Sequence, residues 1–149
     1  MDASHYELIG SVVRANEEYS TYSSKPGRSL ADLIDELDET FSQSLLRLID
    51  VKNKSDVEIY KKANMDRKLF SKIRSNKDYR PSKVTAIAFS LALELNLDET
   101  KDLIGRAGFA LTHSSKFDVI VEYFIELGNY NVFEINEVLF AFDQVLLGL

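Results

Sequence analysis

The stretch Ser55-Asp56-Val57-Glu58-Ile59-Tyr60-Lys61-Lys62-Ala63-Asn64-Met65-Asp66-Arg67-Lys68-Leu69-Phe70-Ser71-Lys72-Ile73-Arg74 decides the fold. It reads as two short helices around a tight turn. Asn64 is one of the few non-glycine residue types that tolerates the left-handed backbone a helix needs to stop within one residue, and Asp66 can cap the next helix through its carboxylate. Ile59, Met65, Phe70 and Ile73 supply inward contacts. The second helix then turns Arg67, Lys68, Ser71, Lys72 and Arg74 outward, side chains that reach phosphates or the acceptor-rich edge of guanine in a major groove. That is the placement of a recognition helix.

The rest of the chain repeats the helical theme. In the first segment Leu8, Ile9, Val12 and Val13 recur at helical spacing behind Asp2 or Ser4 as cap, predicting an amphipathic helix that ends near Tyr19. The polar run 20–27, punctuated by Pro26-Gly27, predicts a linker, so residues 1–28 form an arm and 29–149 the domain proper. After Ser29, Leu30, Leu33, Ile34 and Leu37 share one face, and Asp32, Asp35, Glu36, Asp38 and Glu39 make an acidic stripe on the other. Thr40 with Gln43 matches a capping box and predicts a new helix there, although the phase of Leu33, Leu37, Phe41 and Leu45 also suits an unbroken one. Further helices are predicted over 56–62, 67–75, 82–95 and 99–107, then behind Ser114 or Ser115 as far as Gly128, and behind Asn131 with Glu134. No segment alternates with period 2, so the fold class is all-α.

Charge is unevenly spread. The 149 residues carry 18 bases and 24 acids, a net charge of −6, which taken alone argues against a nucleic-acid partner. Between Lys61 and Lys83, however, nine bases (Lys61, Lys62, Arg67, Lys68, Lys72, Arg74, Lys77, Arg80 and Lys83) face only Asp66 and Asp78. The window is therefore +7 and the remainder −13.

Composition narrows the class further. With 28% charged and 45% hydrophobic residues the chain has the balance of an ordinary globular domain, long enough to hold a core without staples. Zero cysteines exclude a disulfide framework, a thiol nucleophile and every cysteine-containing metal site. No apolar run approaches the roughly 20 residues that span a bilayer, and the N-terminus lacks a basic region followed by an apolar signal core, so no membrane role and a cytoplasmic location are expected.

On these residues the chain resembles the lambda-repressor-like helix-turn-helix family over roughly 41–107. The match runs through the turn, the polar loop after it, the apolar helix from Ser82 to Leu95 and the acidic start Leu97-Asp98-Glu99. The resemblance implies a core of five short helices, here flanked by an N-terminal helical arm and a C-terminal helix pair. Asp56 stands where that family often has a glutamine on phosphate, and Tyr60 where a small alanine lets the helices close. From Leu37 onward the chain also looks like the helical C-terminal region that follows macro domains in bacterial proteins. Its segments are Asp-Glu-Thr-Phe-Ser-Gln-Ser-Leu-Leu at 38–46, Asp-Arg-Lys-Leu-Phe-Ser-Lys-Ile-Arg-Ser-Asn at 66–76, Leu-Asp-Glu-Thr-Lys-Asp-Leu at 97–103 and Ser-Lys-Phe-Asp at 115–118. No βαβ pattern or glycine-rich phosphate loop accompanies it, so the chemistry of a macro domain does not transfer.

Together these readings predict a non-enzymatic module of a bacterial or phage transcription regulator that binds duplex DNA. The expected contacts are Lys62, Arg67, Lys68, Ser71, Lys72, Arg74, Lys77 and Arg80, with no catalytic residue, cofactor or metal. The alternative is an adaptor of the same shape whose basic window docks an acidic protein partner. His5 and His113 have no ligand spacing and read as surface or cap residues. Gly105 and Gly108 read as a helix stop rather than a phosphate cradle. The aromatic series Phe117, Tyr123, Phe124, Tyr130, Phe133, Phe140 and Phe142 reads mainly as core, with part of it left for the two-fold contact of a homodimer.

Overall fold

A computed structural model describes residues 28–148; the first predicted helix, His5 and most of the linker lie outside them. The described residues form eight helices and no strand: α1 (Leu30–Asp35), α2 (Phe41–Val51), α3 (Asp56–Lys62), α4 (Arg67–Ser75), α5 (Lys83–Ala92), α6 (Leu97–Arg106), α7 (Lys116–Glu126) and α8 (Val132–Ala141). The all-α expectation holds. The chain divides into two compact units, 1–38 and 39–149, a division that lies beyond the 28/29 boundary drawn from the linker.

Each helix begins for the same local reason. Ser29, Thr40, Ser55, Asp66, Ser82, Asn96, Ser115 and Asn131 stand at the eight N-caps, and each side-chain oxygen accepts the backbone N–H three residues on. That contact satisfies one of the donors a helix start leaves free. At Thr40 the Gln43 side chain also accepts the Thr40 N–H at 2.9 Å, closing the capping box, and α1 has already ended at Asp35. The capping reading therefore prevails over the unbroken helix. Asp38 and Glu39 lie past the end of α1, so the acidic stripe is not one helical face: Glu39 instead pairs with Arg47 at 2.8 Å. Asn96 with Glu99 forms another box, which starts α6 at Leu97, two residues before the predicted range 99–107.

The helix ends are equally regular. Asn53, Asn64, Glu94, Gly108, Gly128 and Asp143 all have positive φ just past a helix, and the N–H groups there return to carbonyls of the last turn. This is the left-handed stop, tolerated best by glycine and asparagine.

In the 39–149 unit α5 is the axis. Every residue from Thr85 to Ala92 is buried, because the run is apolar but for Thr85 and Ser90, and Ala86, Ala88 and Ala92 let neighbours approach closely. It packs against α3, α6 and α8, and its Phe89 ring lies 6.0 Å from that of Phe70 on α4. Helix α2 packs against α4 and α6, and α7 against α6 and α8. An ion pair with one partner buried ties α7 to α5: Asp118 is 1% exposed, and its carboxylate meets the half-buried Lys83 ammonium at 2.8 Å and accepts the Thr112 N–H at 2.8 Å.

Candidate nucleic-acid interface

The turn between α3 and α4 forms as its residues require. Asn64 has φ 57°; its N–H donates to the Lys61 carbonyl at 3.0 Å, and the Met65 N–H donates to that of Tyr60 at 2.9 Å. The two bonds close the end of α3 in a Schellman arrangement. Two residues later the Asp66 carboxylate accepts the Leu69 N–H at 2.8 Å and opens α4. Phe70 and Ile73 are buried on the inner side of α4, and Met65 is buried beneath the turn.

Tyr60, where a smaller residue would bring the helices closer, is half-buried with its ring 5.7 Å from that of Phe70. Thr40 Oγ1 donates to the Lys77 carbonyl, fixing the loop after α4 to the start of α2.

The outer side of α4 carries the predicted cations. Arg67, Lys68, Ser71 and Lys72 are all exposed, and among the described residues neither the arginine nor either lysine forms an ion pair. Lys77 and Arg80 are likewise exposed and unpaired, in the loop that follows. The other cations of the window are engaged within the molecule. Arg74 meets Asp56 at 2.7 Å and lies 5.9 Å from the centre of the Phe70 ring. Lys62 meets Glu94 at 3.3 Å, and Lys83 is held by Asp118. Three of the nine bases are thus answered by acids from outside the window, and six remain, counting Lys61. The structure groups Arg67, Lys68, Ser71 and Lys72 on α4, and gives Lys62 and Arg74 partners that their spacing does not disclose. Asp56 faces Arg74, which offsets the repulsion its charge would exert on a phosphate.

Two hollows adjoin the end of α3, neither foreseen from spacing. One of about 510 Å³ is lined by Lys62, Glu94, Tyr130 and Phe133 among others. A smaller one of about 230 Å³ is lined by Lys52, Lys54 and Lys62 with Glu94. Burial, and then the negative charges of Glu94 and Glu99, push the Tyr130 hydroxyl above its ordinary range. The lysines stand at the C-terminal ends of α2 and α3, where cations answer the helix dipole.

The remaining candidates divide. His113 is exposed, with Nε2 2.8 Å from the Glu122 carboxylate, and no group of three or more potential metal ligands occurs among the described residues. Gly108, at φ 88°, ends α6, and Gly105 lies within that helix. Of the aromatic series Phe117 and Phe124 are buried and Tyr130 is half-buried, whereas Tyr123, Phe133, Phe140 and Phe142 are exposed. No helix among the described residues is long and apolar enough to cross a membrane. The chain matches no protein-family model, no curated protein and no solved structure.

Proposed function

We propose that the 39–149 unit is a non-enzymatic helix-turn-helix module, its core the five helices α2 to α6, that binds duplex DNA through the outer face of α4. One observation carries the reading: Arg67, Lys68 and Lys72 stand exposed on one helix without an acidic partner among the described residues, while the neighbouring Arg74, Lys62 and Lys83 each meet an acid. A helix whose inner side is fixed by Phe70 and Ile73 presents those charges as a rigid row, with Ser71 among them as a neutral donor and acceptor. Lys77 and Arg80 extend the row into the following loop, where they serve phosphates rather than bases. The acidic remainder does not defeat this, because exposed charges more than about 10 Å apart are largely screened at 0.1 M salt.

Fluorescence anisotropy of a labelled duplex, titrated at several salt concentrations, tests the reading. With about four phosphates contacted, log affinity falls against log salt with a slope of about −3 to −4. Replacing Arg67, Lys68 and Lys72 together by alanine flattens that slope, and absence of duplex binding at 50 mM salt by the folded chain would remove the reading and promote an acidic protein as the partner of the same face. A homodimer through the exposed Tyr123, Phe133, Phe140 and Phe142 is part of the proposal, and light scattering after size exclusion decides it.

A further inference from the structure

The turn that sets the direction of α4 is held from the far end of the chain. Leu147 is 1% exposed, and its backbone is clamped on both sides by one side chain: its N–H donates to Asn136 Oδ1 at 2.7 Å, and its carbonyl accepts Asn136 Nδ2 at 2.9 Å. The same carbonyl accepts Asn64 Nδ2 at 3.3 Å, across 83 positions of sequence. Gly148, at φ 92°, then lies against Asn64 so closely that a Cβ there would stand 2.5 Å from the Asn64 carbonyl oxygen. Burying a leucine side chain requires none of these backbone contacts. The turn itself requires no asparagine either, since glycine takes the left-handed conformation more easily. What asparagine adds at position 64 is the amide that reaches Leu147.

We infer that Asn136, Leu147 and Gly148 form a brace that positions the α3–α4 turn, and that Asn136 and Leu147 are positioning residues for the α4 face. Asn136 lies on α8. Residues 142–148 are outside any helix, so the register of this tail depends on the Asn136 clamp and the Leu147 plug. Segments tied by so few contacts open at low free-energy cost. The brace therefore links α8 to the angle at which α4 leaves the turn. Its effect on binding rests on the nucleic-acid reading; its effect on the turn does not.

Amide hydrogen exchange and duplex binding on the full chain test the two halves separately, using Asn136→Ala and, at the outer end of the tail, Gly148→Ala. In both variants the Asn64 and Met65 amides exchange about tenfold faster or more, while the core amides of Ile87 and Leu91 change by less than about threefold. Duplex affinity at fixed salt falls about three- to tenfold with the salt slope unchanged, because every phosphate-facing cation is still present. Unchanged exchange at Asn64 and Met65, or acceleration of all amides in parallel, would overturn the brace. Local loosening with full duplex affinity would overturn the positioning role. Local loosening in a chain whose wild type binds no duplex would support the brace and remove the nucleic-acid reading alone.

Discussion

Two parts of the same basic window are wired in opposite ways. At its end, Lys83 reaches Asp118, a buried carboxylate on α7, and the pair works as a tie between helices. In its middle, Arg67, Lys68 and Lys72 are exposed and form no ion pair among the described residues. Linear charge density is similar in both places. The difference shows that charge counted along a chain is not charge available to a partner: a cation facing a buried acid is part of the fold, and one facing water is not.

The largest loss is expected at Asp118. Its replacement by alanine leaves the half-buried Lys83 ammonium and the Thr112 N–H without their acceptor, a loss of about 1–3 kcal/mol. Urea unfolding should show that loss, whereas the triple alanine variant of Arg67, Lys68 and Lys72 should unfold within about 0.5 kcal/mol of wild type, as exposed positions without partners do. A comparable loss in the triple variant would mean that α4's cations hold the fold, and the distinction drawn here would fail.

An intermediate case sharpens it. Asp56 and Arg74 form an exposed pair worth at most about 1 kcal/mol. Asp56→Asn should leave stability nearly unchanged but release Arg74 toward solvent, strengthening duplex binding and steepening the salt slope by about one. Weaker binding would show that Asp56 aligns Arg74 rather than neutralising it.

The smallest effect lies at Tyr130, in the hollow beside Lys62 and Glu94. Burial and the nearby Glu94 and Glu99 raise its pKa above the ordinary 10.0, so the unfolded chain releases this proton at lower pH than the folded one. Its contribution is accordingly intact below pH 10 and is lost as pH rises through the folded value. The stability difference between wild type and Tyr130→Phe should be flat up to about pH 9 and shift against wild type above pH 10; a flat difference throughout would remove the shift.

Much of the helical layout was legible because it rests on short-range rules. Thr40 with Gln43, Ser82, Asn131 and the left-handed Asn64 act on neighbours three or four residues away, and the structure places each cap and stop at those residues. The start of α6 at Leu97, behind the Asn96 cap, obeys the same rule. The aromatic series was harder. Helical spacing puts Phe133 and Phe140 on α8, but which face of α8 meets α5 and α7 depends on packing that spacing does not contain.

The sequence by itself determined the all-α class, the positions of most helix ends and the set of cations on α4, since each follows from backbone hydrogen bonding and helical periodicity within one or two turns. Only the tertiary structure decided that Arg74, Lys62 and Lys83 are taken by Asp56, Glu94 and Asp118, and that Leu147, clamped by Asn136, reaches the turn at Asn64. Those contacts join residues 11 to 83 positions apart, and at such separations local pattern carries no distance information. What brings them together is burial of the apolar faces around α5, which places polar groups side by side as a consequence of how the helices pack.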